Sequence, residues 1–317
     1  MKNLPLSSKC VAIHCLALAA VVSLAGPADA SSDSHRRVLP FPLGIKPGAS
    51  RQIYAHASNV NTIDLPGAMA SYALGINNKG EAVGYWYDDS FNTHGFLYSG
   101  GKVTNIDVPN TVGISVTGIN DTGMIVGSYA NAEITVVHGF ILYRGSYALL
   151  DYPGAWATTP WAINNQGDVV GYFQMRDEVD SPFIGFLWHK GTFTTIDVPG
   201  SVYTFPLGIN DRGDIVGSWY DPSTPHSFLL SKGVYTTLDP PTSWSAIATG
   251  INASGQVLVG ASMGDTNQLF IYSHGVYNPV SVPGADLYIP GGINNKAQIT
   301  GGYALPTTSP FAFILTP

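Results

Sequence analysis

The dipeptide Ile-Asn recurs six times: Ile76-Asn77, Ile119-Asn120, Ile163-Asn164, Ile209-Asn210, Ile251-Asn252 and Ile293-Asn294. Successive asparagines are 43, 44, 46, 42 and 42 residues apart. A proline stands nine residues before the residue that precedes each Ile-Asn: Pro66, Pro109, Pro153, Pro199, Pro241 and Pro283. That preceding residue is glycine in every copy but the third, where it is Ala162. A unit of this length cannot bury a hydrophobic face alone, so stacked copies must share a core. Periods of this size belong to propeller blades or to helical solenoids. With 36 Gly, 22 Pro, 17 Tyr and 13 Phe in 317 residues, the composition opposes helices and favours strands.

The fourth copy shows how four strands fit. Residues 203–209 read as strand A, and 210–213 (Asn-Asp-Arg-Gly) as a tight turn whose glycine supplies a positive φ. Residues 214–220 read as strand B, and 226–231 as strand C. Lys232-Gly233 makes a two-residue hairpin turn, and 234–239 form strand D. The same x-Gly turn recurs at Gly100-Gly101, Arg144-Gly145, Lys190-Gly191 and His274-Gly275. The chain ends on a C strand at 311–317 with no D strand after it. Residues 60–66 (VNTIDLP) copy the D strand at 193–199 (FTTIDVP), so an N-terminal strand closes the last blade and protects the open edge. The expected fold is therefore all-β: a six-bladed β-propeller over residues 59–317, with four antiparallel strands per blade.

Ahead of it, residues 1–30 have the layout of a secretory signal peptide. Lys2 and Lys9 precede an apolar run at 10–24, and Ala28-Asp29-Ala30 follows as a cleavage site. Residues 31–58 read as a flexible lead-in. Both cysteines, Cys10 and Cys15, lie in the signal segment, so the exported chain contains no disulfide. The expected location is secreted or extracellular, with the periplasm as the alternative. The net charge of −7 leaves no basic surface for nucleic acid, and no membrane-spanning run follows the signal segment. The expected protein is a monomer without a cofactor.

The pattern Gly-Ile-Asn-x-x-Gly-x-(Ile/Val)-Val-Gly-x-(Tyr/Trp), then His-(Gly/Ser)-Phe-Leu, then Thr-Ile-Asp-x-Pro-Gly resembles the bacterial extracellular HAF-repeat family. The resemblance covers residues 60–317. Phe311-Ala312-Phe313 keeps the last two letters of the His-Ala-Phe triplet, and His94, His138 and His226 keep the first. It implies a secreted protein and no assigned activity.

Those histidines invite a metal reading, but hairpin register places each opposite an aspartate on its own blade. The pairs are His94 with Asp107, His138 with Asp151 and His226 with Asp239. Three separate blades cannot focus them on one ion, so they are read as structural pairs and no metal is expected. Gly260-Ala261-Ser262-Met263-Gly264 matches a nucleophile elbow but occupies a strand B slot with no helix after it. Arg212-Gly213-Asp214 spells an adhesion tripeptide in an ordinary A–B turn. Asp121, Asp168, Asp211 and Asp214 stand in the same turns without the alternating carboxylates of a calcium loop. A glycosidase needs two converging carboxylates. The exported chain's glutamates, Glu81, Glu133 and Glu178, all lie outside strand A.

The ligand is expected on the face formed by D–A connections and B–C loops, because loop length varies only there. The ring positions there include Met69, Trp156, Trp244 and Asp286, with Trp161 and Tyr203 close by. Flat aromatic rings suit sugar faces or peptide anchors. The expected function is non-catalytic binding of a glycan or a protein. A glycan-acting propeller hydrolase and a purely structural envelope or matrix protein are the alternatives.

Overall fold

The computed structural model describes residues 60–316, except 132–135, 179–180, 265 and 286. The signal segment, most of the lead-in and Asp286 lie outside the described residues. Within them the chain forms twenty-four β-strands and no helix, in an all-β propeller. Each repeat is an antiparallel meander. In the fourth, strand A is Tyr203–Ile209, B is Ile215–Tyr220, C is Pro225–Ser231 and D is Val234–Thr237. The sixth repeat has only three strands of its own, and Val60–Thr62 supplies the fourth. It pairs antiparallel with Phe311–Leu315, Val60 opposite Leu315 and Thr62 opposite Phe313. The pairing is shorter than the 60–65 span expected from sequence, although Ile63 N–H still donates to Ala312 O at 2.9 Å.

The expectation of six separate blades needs one correction. Four repeats stand as separate four-stranded sheets, but the second and third share one eight-stranded sheet. The join is a short parallel bridge between Val137 and Ala157, with Val137 N–H donating to Trp156 O at 3.1 Å. Elsewhere the same approach of a C strand to the next A strand gives single bonds, such as Ser71 N–H to Pro310 O (2.9 Å) and Thr204 N–H to Phe183 O (3.2 Å). The join is thus a longer version of a contact made between other repeats.

What brings the A strands together is the Gly-Ile-Asn motif. Each A strand has a register shift just before the motif, at Ala73/Gly75, Val116/Gly118, Pro160/Ala162, Pro206/Gly208, Ala248/Gly250 and Pro290/Ile293. Such bulges bend the strand and raise its twist. The motif glycine then lies against its counterpart in the next repeat. A Cβ on Gly75 would sit 2.9 Å from Gly118 Cα, and one on Gly208 3.0 Å from Gly250 Cα. Glycine permits that approach without displacing the neighbouring backbone; the third repeat carries Ala162 in the slot.

The asparagine that follows is buried, and its carboxamide is used on both sides. In the fourth repeat Asn210 Oδ1 accepts N–H groups from Arg212 and Asp214, both at 3.0 Å, which builds the A–B turn. Its Nδ2 donates to Asp214 Oδ2 (3.0 Å) and to the carbonyl of Asn252 in the next repeat (3.2 Å). The inter-repeat bond passes from Asn77 to Asn120 (3.2 Å), to Asn164 (3.0 Å), to Asn210 (3.3 Å), to Asn252, to Asn294 (3.0 Å) and back to Asn77 (2.9 Å). The belt is closed.

Outside the belt five of the six repeats bury a phenylalanine of strand C: Phe96, Phe140, Phe186, Phe228 and Phe313 are all at most 1% exposed. Each lies opposite a strand B glycine, as Phe228 does Gly217. The fifth repeat has Val259 in that slot, and its Phe270 is only partly buried.

Two stability outcomes follow. Asn210→Ala should cost about 2–4 kcal/mol in urea unfolding, because four hydrogen bonds go and buried backbone groups lose partners. A second belt, formed by the side chain of the residue after the asparagine, caps the preceding repeat's turn: Asp121 Oδ1 accepts Asn78 N–H, and Asn295 Oδ1 accepts Ala253 N–H, both at 2.8 Å. Ala253 offers no such acceptor to Asp211. Ala253→Asn should therefore stabilise the fold by about 0.5–1 kcal/mol, and an unchanged or lower urea midpoint would contradict this.

Candidate functional site

In an antiparallel meander, D–A connections and B–C loops emerge on one face, and A–B and C–D turns on the other. On the first face every D–A connection turns at its proline. Pro66-Gly67, Pro153-Gly154, Pro199-Gly200 and Pro283-Gly284 place glycine at φ of 85, 78, 86 and 79°, and the second and fifth copies put Asn110 and Thr242 at 61 and 66°. Proline followed by a residue with positive φ is the signature of a type II turn. The turn closes through bonds such as Ala68 N–H to Leu65 O at 3.0 Å. The third residue after the proline is thereby delivered to the end of strand B. Met69, Trp156, Val202 and Trp244 donate their N–H to Tyr87, Gln174, Tyr220 and Ser262, at 2.8, 2.9, 2.7 and 2.9 Å. These residues thus lead into strand A beside the end of strand B.

Their exposure differs. Trp244 is 55% and Val202 42% exposed, while Met69 and Trp156 are partly buried. On the neighbouring B–C loops Met175 is 44% and Phe91 51% exposed. Phe91 holds a φ of 63°, which a bulky residue rarely adopts. Asp88 fixes that loop by accepting N–H groups from Ser90 (2.9 Å) and Asn92 (2.8 Å).

Beneath the rim the axis is filled by aromatic side chains. Tyr72, Tyr85, Tyr87, Trp161, Tyr172 and Phe205 are buried together with Leu74, Leu207, Ile247 and Ile289, and Phe183, Tyr203 and Tyr220 pack on them while partly exposed. Most ring contacts are edge-on or tilted: Tyr72–Tyr85 at 5.4 Å, Tyr172–Phe205 at 5.0 Å, Phe205–Tyr220 at 5.8 Å and Tyr203–Tyr220 at 6.0 Å. Such pairs fix one another's orientation. Burial pushes the Tyr172 hydroxyl well above the usual phenol range, so it stays neutral at any physiological pH.

Trp161, expected beside the rim, is instead 6% exposed within this cluster. It occupies the bulge position of strand A, which Leu74 and Leu207 fill in the first and fourth repeats, and that position points at the axis. Tyr203 does reach the rim side, 5.9 Å from Phe183. The sequence reading did not single out the B-strand tyrosines Tyr85, Tyr87, Tyr172 and Tyr220. Their signal was the strand register, which sets Tyr85 opposite Tyr72 and Tyr220 opposite Tyr203 on one face.

The histidines stand on the outer part of the sheets, away from this cluster. His138 Nδ1 is 2.7 Å from Asp151 Oδ2, and His226 Nδ1 is 2.7 Å from Asp239 Oδ2. The other oxygen of each aspartate accepts the next backbone N–H of strand C, from Gly139 (2.9 Å) and Ser227 (2.7 Å). The carboxylate thus ties the D–A connection to strand C. His94 departs from the pattern. It is 3.8 Å from Asp107, beyond hydrogen-bond reach, and its Nε2 turns to Asp88 at 3.3 Å. It stacks on Trp86 at 4.4 Å, as His226 does on Trp219 at 4.7 Å. Among the described residues, no group of three or more His, Cys, Asp or Glu could hold a metal ion.

On the opposite face the belt asparagines and their neighbours line a shallow funnel of about 80 Å³. Its Asp121 is held below the usual carboxylate range: burial opposes this, but bonds from Asn78 and Asn165 outweigh it. Those bonds occupy the ring's acceptors on its own neighbours, so the funnel is a structural closure.

No protein-family model matches the chain, and comparison with curated proteins finds no match. Solved structures do resemble it. AofleA from Arthrobotrys oligospora is 10% identical, with a TM-score of 0.53 over 81% of this chain and 85% of that one. The β-propeller domain of the Trilobed protease from Pyrococcus furiosus, which has an open velcro topology, is 10% identical, with a TM-score of 0.50 over 78% and 95%. A fucose-specific lectin from Aleuria aurantia is 13% identical, with a TM-score of 0.47 over 80% and 93%. At these identities the first two likenesses establish a propeller fold and nothing about chemistry.

The His226 environment has a pH consequence. Burial opposes its protonation, but Asp239 and Asp221 outweigh burial and raise its pKa. A raised folded-state value means the stabilisation is complete below the unfolded histidine range, near 6.5, and is lost as pH rises through the folded value. The difference in melting temperature between the native protein and His226→Gln should be larger at pH 5.5 than at pH 8.5. Equal differences at both would show that the pair does not titrate with folding.

Proposed function

We propose that this protein is a secreted, non-catalytic binding propeller of the HAF-repeat kind, with six blades when the eight-stranded sheet is counted as two. Its ligand is a glycan or a protein held at the D–A and B–C face. One observation carries this reading: a locked aromatic cluster opens onto a rim where Trp244, Val202, Met175 and Phe91 are exposed. The other large exposed apolar residues, Tyr147, Leu149, Val234 and Val276, lie on outer D strands, and none on the A–B turns. Rings held rigidly before binding lose little entropy on contact, which is how aromatic anchors provide affinity. Export rests on the layout of residues 1–30.

The test is a glycan array and a protein-ligand screen with the mature chain, alongside assays for hydrolysis of generic glycosides. Binding without turnover supports the reading. Turnover would select a hydrolase, and neither binding nor turnover a structural component. Trp244→Ala should weaken binding by about 1–3 kcal/mol and shift stability by less than about 0.5 kcal/mol, because the ring is exposed. Trp161→Ala should instead cost about 3–5 kcal/mol of stability, because its ring fills the axis.

A further inference from the structure

The charges of the described residues are sorted between the two faces. Four exposed cations stand at the outer C–D hairpins of the first four repeats: Arg144, Lys190 and Lys232 in the turns themselves, and Lys102 as the first residue of its D strand, just after Gly100-Gly101. Three more, Lys79, Arg212 and Lys296, lie in the A–B turns of the same face. Only Arg176 stands on a B–C loop. The acids divide the other way. Asp88, Asp89, Asp177, Glu178 and Asp221 lie on B–C loops, and Asp64, Asp107, Asp151, Asp197 and Asp239 open the D–A connections.

The inner part of the turn face is more than neutralised, with five acids against three cations. Arg212 Nη2 is 2.9 Å from Asp214, and Asp121, Asp168, Asp211 and Glu81 accompany Lys79 and Lys296. The outer circle is not. No aspartate or glutamate occurs in the C–D turns themselves, and the fifth repeat carries His274 in the same slot. Arg144, Lys190, Lys232 and His274 all adopt positive φ, at 51, 47, 52 and 49°. These are equal two-residue turns, so they project their side chains at one level around the rim. Just past the turns the chain exposes apolar residues: Tyr147 at 40%, Val234 at 63% and Val276 at 57%.

We propose that this rim docks the propeller onto an anionic lipid surface, with the aromatic face turned outward. Cations at four of the six repeats, spread around one rim, fit a flat sheet of negative charge better than a thin linear polyanion, which would reach only some of them. The exposed valines Val234 and Val276 beside the cations suit the headgroup boundary, where apolar tips and cations bind together, whereas Tyr147 turns its hydroxyl away to Asp107 O at 3.1 Å. The ten described acids of the opposite face would be repelled, which fixes the orientation. This is peripheral attachment: among the described residues no helix is long and apolar enough to cross a membrane.

The experiment is co-sedimentation of the mature chain with vesicles of pure phosphatidylcholine or of equal phosphatidylcholine and phosphatidylglycerol, at 50 and 500 mM salt. Binding should appear only on the anionic vesicles and be lost at the higher salt. The variant Lys102→Gln, Arg144→Asn, Lys190→Asn, Lys232→Asn removes the crown. Asparagine before glycine suits these positive-φ turns, so the fold should persist, with melting temperature as the check. Anionic-vesicle binding should fall on the order of fivefold per cation removed, whereas Arg176→Gln on the other face should leave it unchanged. The proposal is overturned by failure to bind the anionic vesicles, by equal binding to both vesicles, or by a folded four-site variant that binds as the native chain does. Retention on heparin without vesicle binding would place a soluble polyanion there and overturn it equally.

Discussion

The asparagine belt is the constraint on which the rest of the architecture depends. A carboxamide has two donor hydrogens and an acceptor oxygen with two lone pairs. In the first, third, fourth, fifth and sixth repeats the belt uses all of them. Two acceptor bonds shape the A–B turn, one donor bond meets the side chain four residues on (Glu81, Asp168, Asp214, Gln256 or Gln298), and one crosses to the next repeat. In the second repeat the residue four on is Met124, which offers no side-chain oxygen, so Asn120 Nδ2 makes only the crossing bond while its Oδ1 still accepts the turn bonds. A buried polar group this fully satisfied specifies one arrangement, since any shift strands several donors and acceptors together. The glycines next to the asparagines follow from the belt, because the A strands must nearly touch for Nδ2 to reach the neighbouring carbonyl.

Once the belt fixes the axis, the meander sorts function by face. Turns on the belt side are short, because the asparagine dictates their length and geometry. Loops on the other side carry no such bond and are free to differ. The aromatic cluster sits at that end of the axis, above the closely packed glycines, and so lies under the rim. The cations follow the same division: seven of the eight described ones lie on the turn face, while the acids are spread over both faces.

Much of this was legible in the sequence because it is repeated. A proline-glycine turn, an x-Gly hairpin and an asparagine seen several times each cannot be coincidence. The closing strand was legible because residues 60–66 copy 193–199. What was not legible belongs to single positions. Trp161 looks like a rim residue in the sequence, but the bulge before the motif turns its ring to the axis. His94 shares its register with His138 and His226, yet the Asp88 loop draws it away from Asp107. The join between the second and third repeats depends on how far two strand ends overlap, and periodicity carries no information about that. The tyrosines of strand B were visible as a pattern, but their convergence depends on which side of each sheet faces the axis.

The most direct test of the account is hydrogen exchange of the asparagine side-chain amides, read by nuclear magnetic resonance. If the belt closes the ring, the carboxamide protons of Asn77, Asn120, Asn164, Asn210, Asn252 and Asn294 should all exchange slowly, at rates approaching those set by global unfolding. Fast exchange at Asn294, whose bond to Asn77 O closes the circle, with protection kept at the others, would mean that the ring is open and the belt is not what holds it.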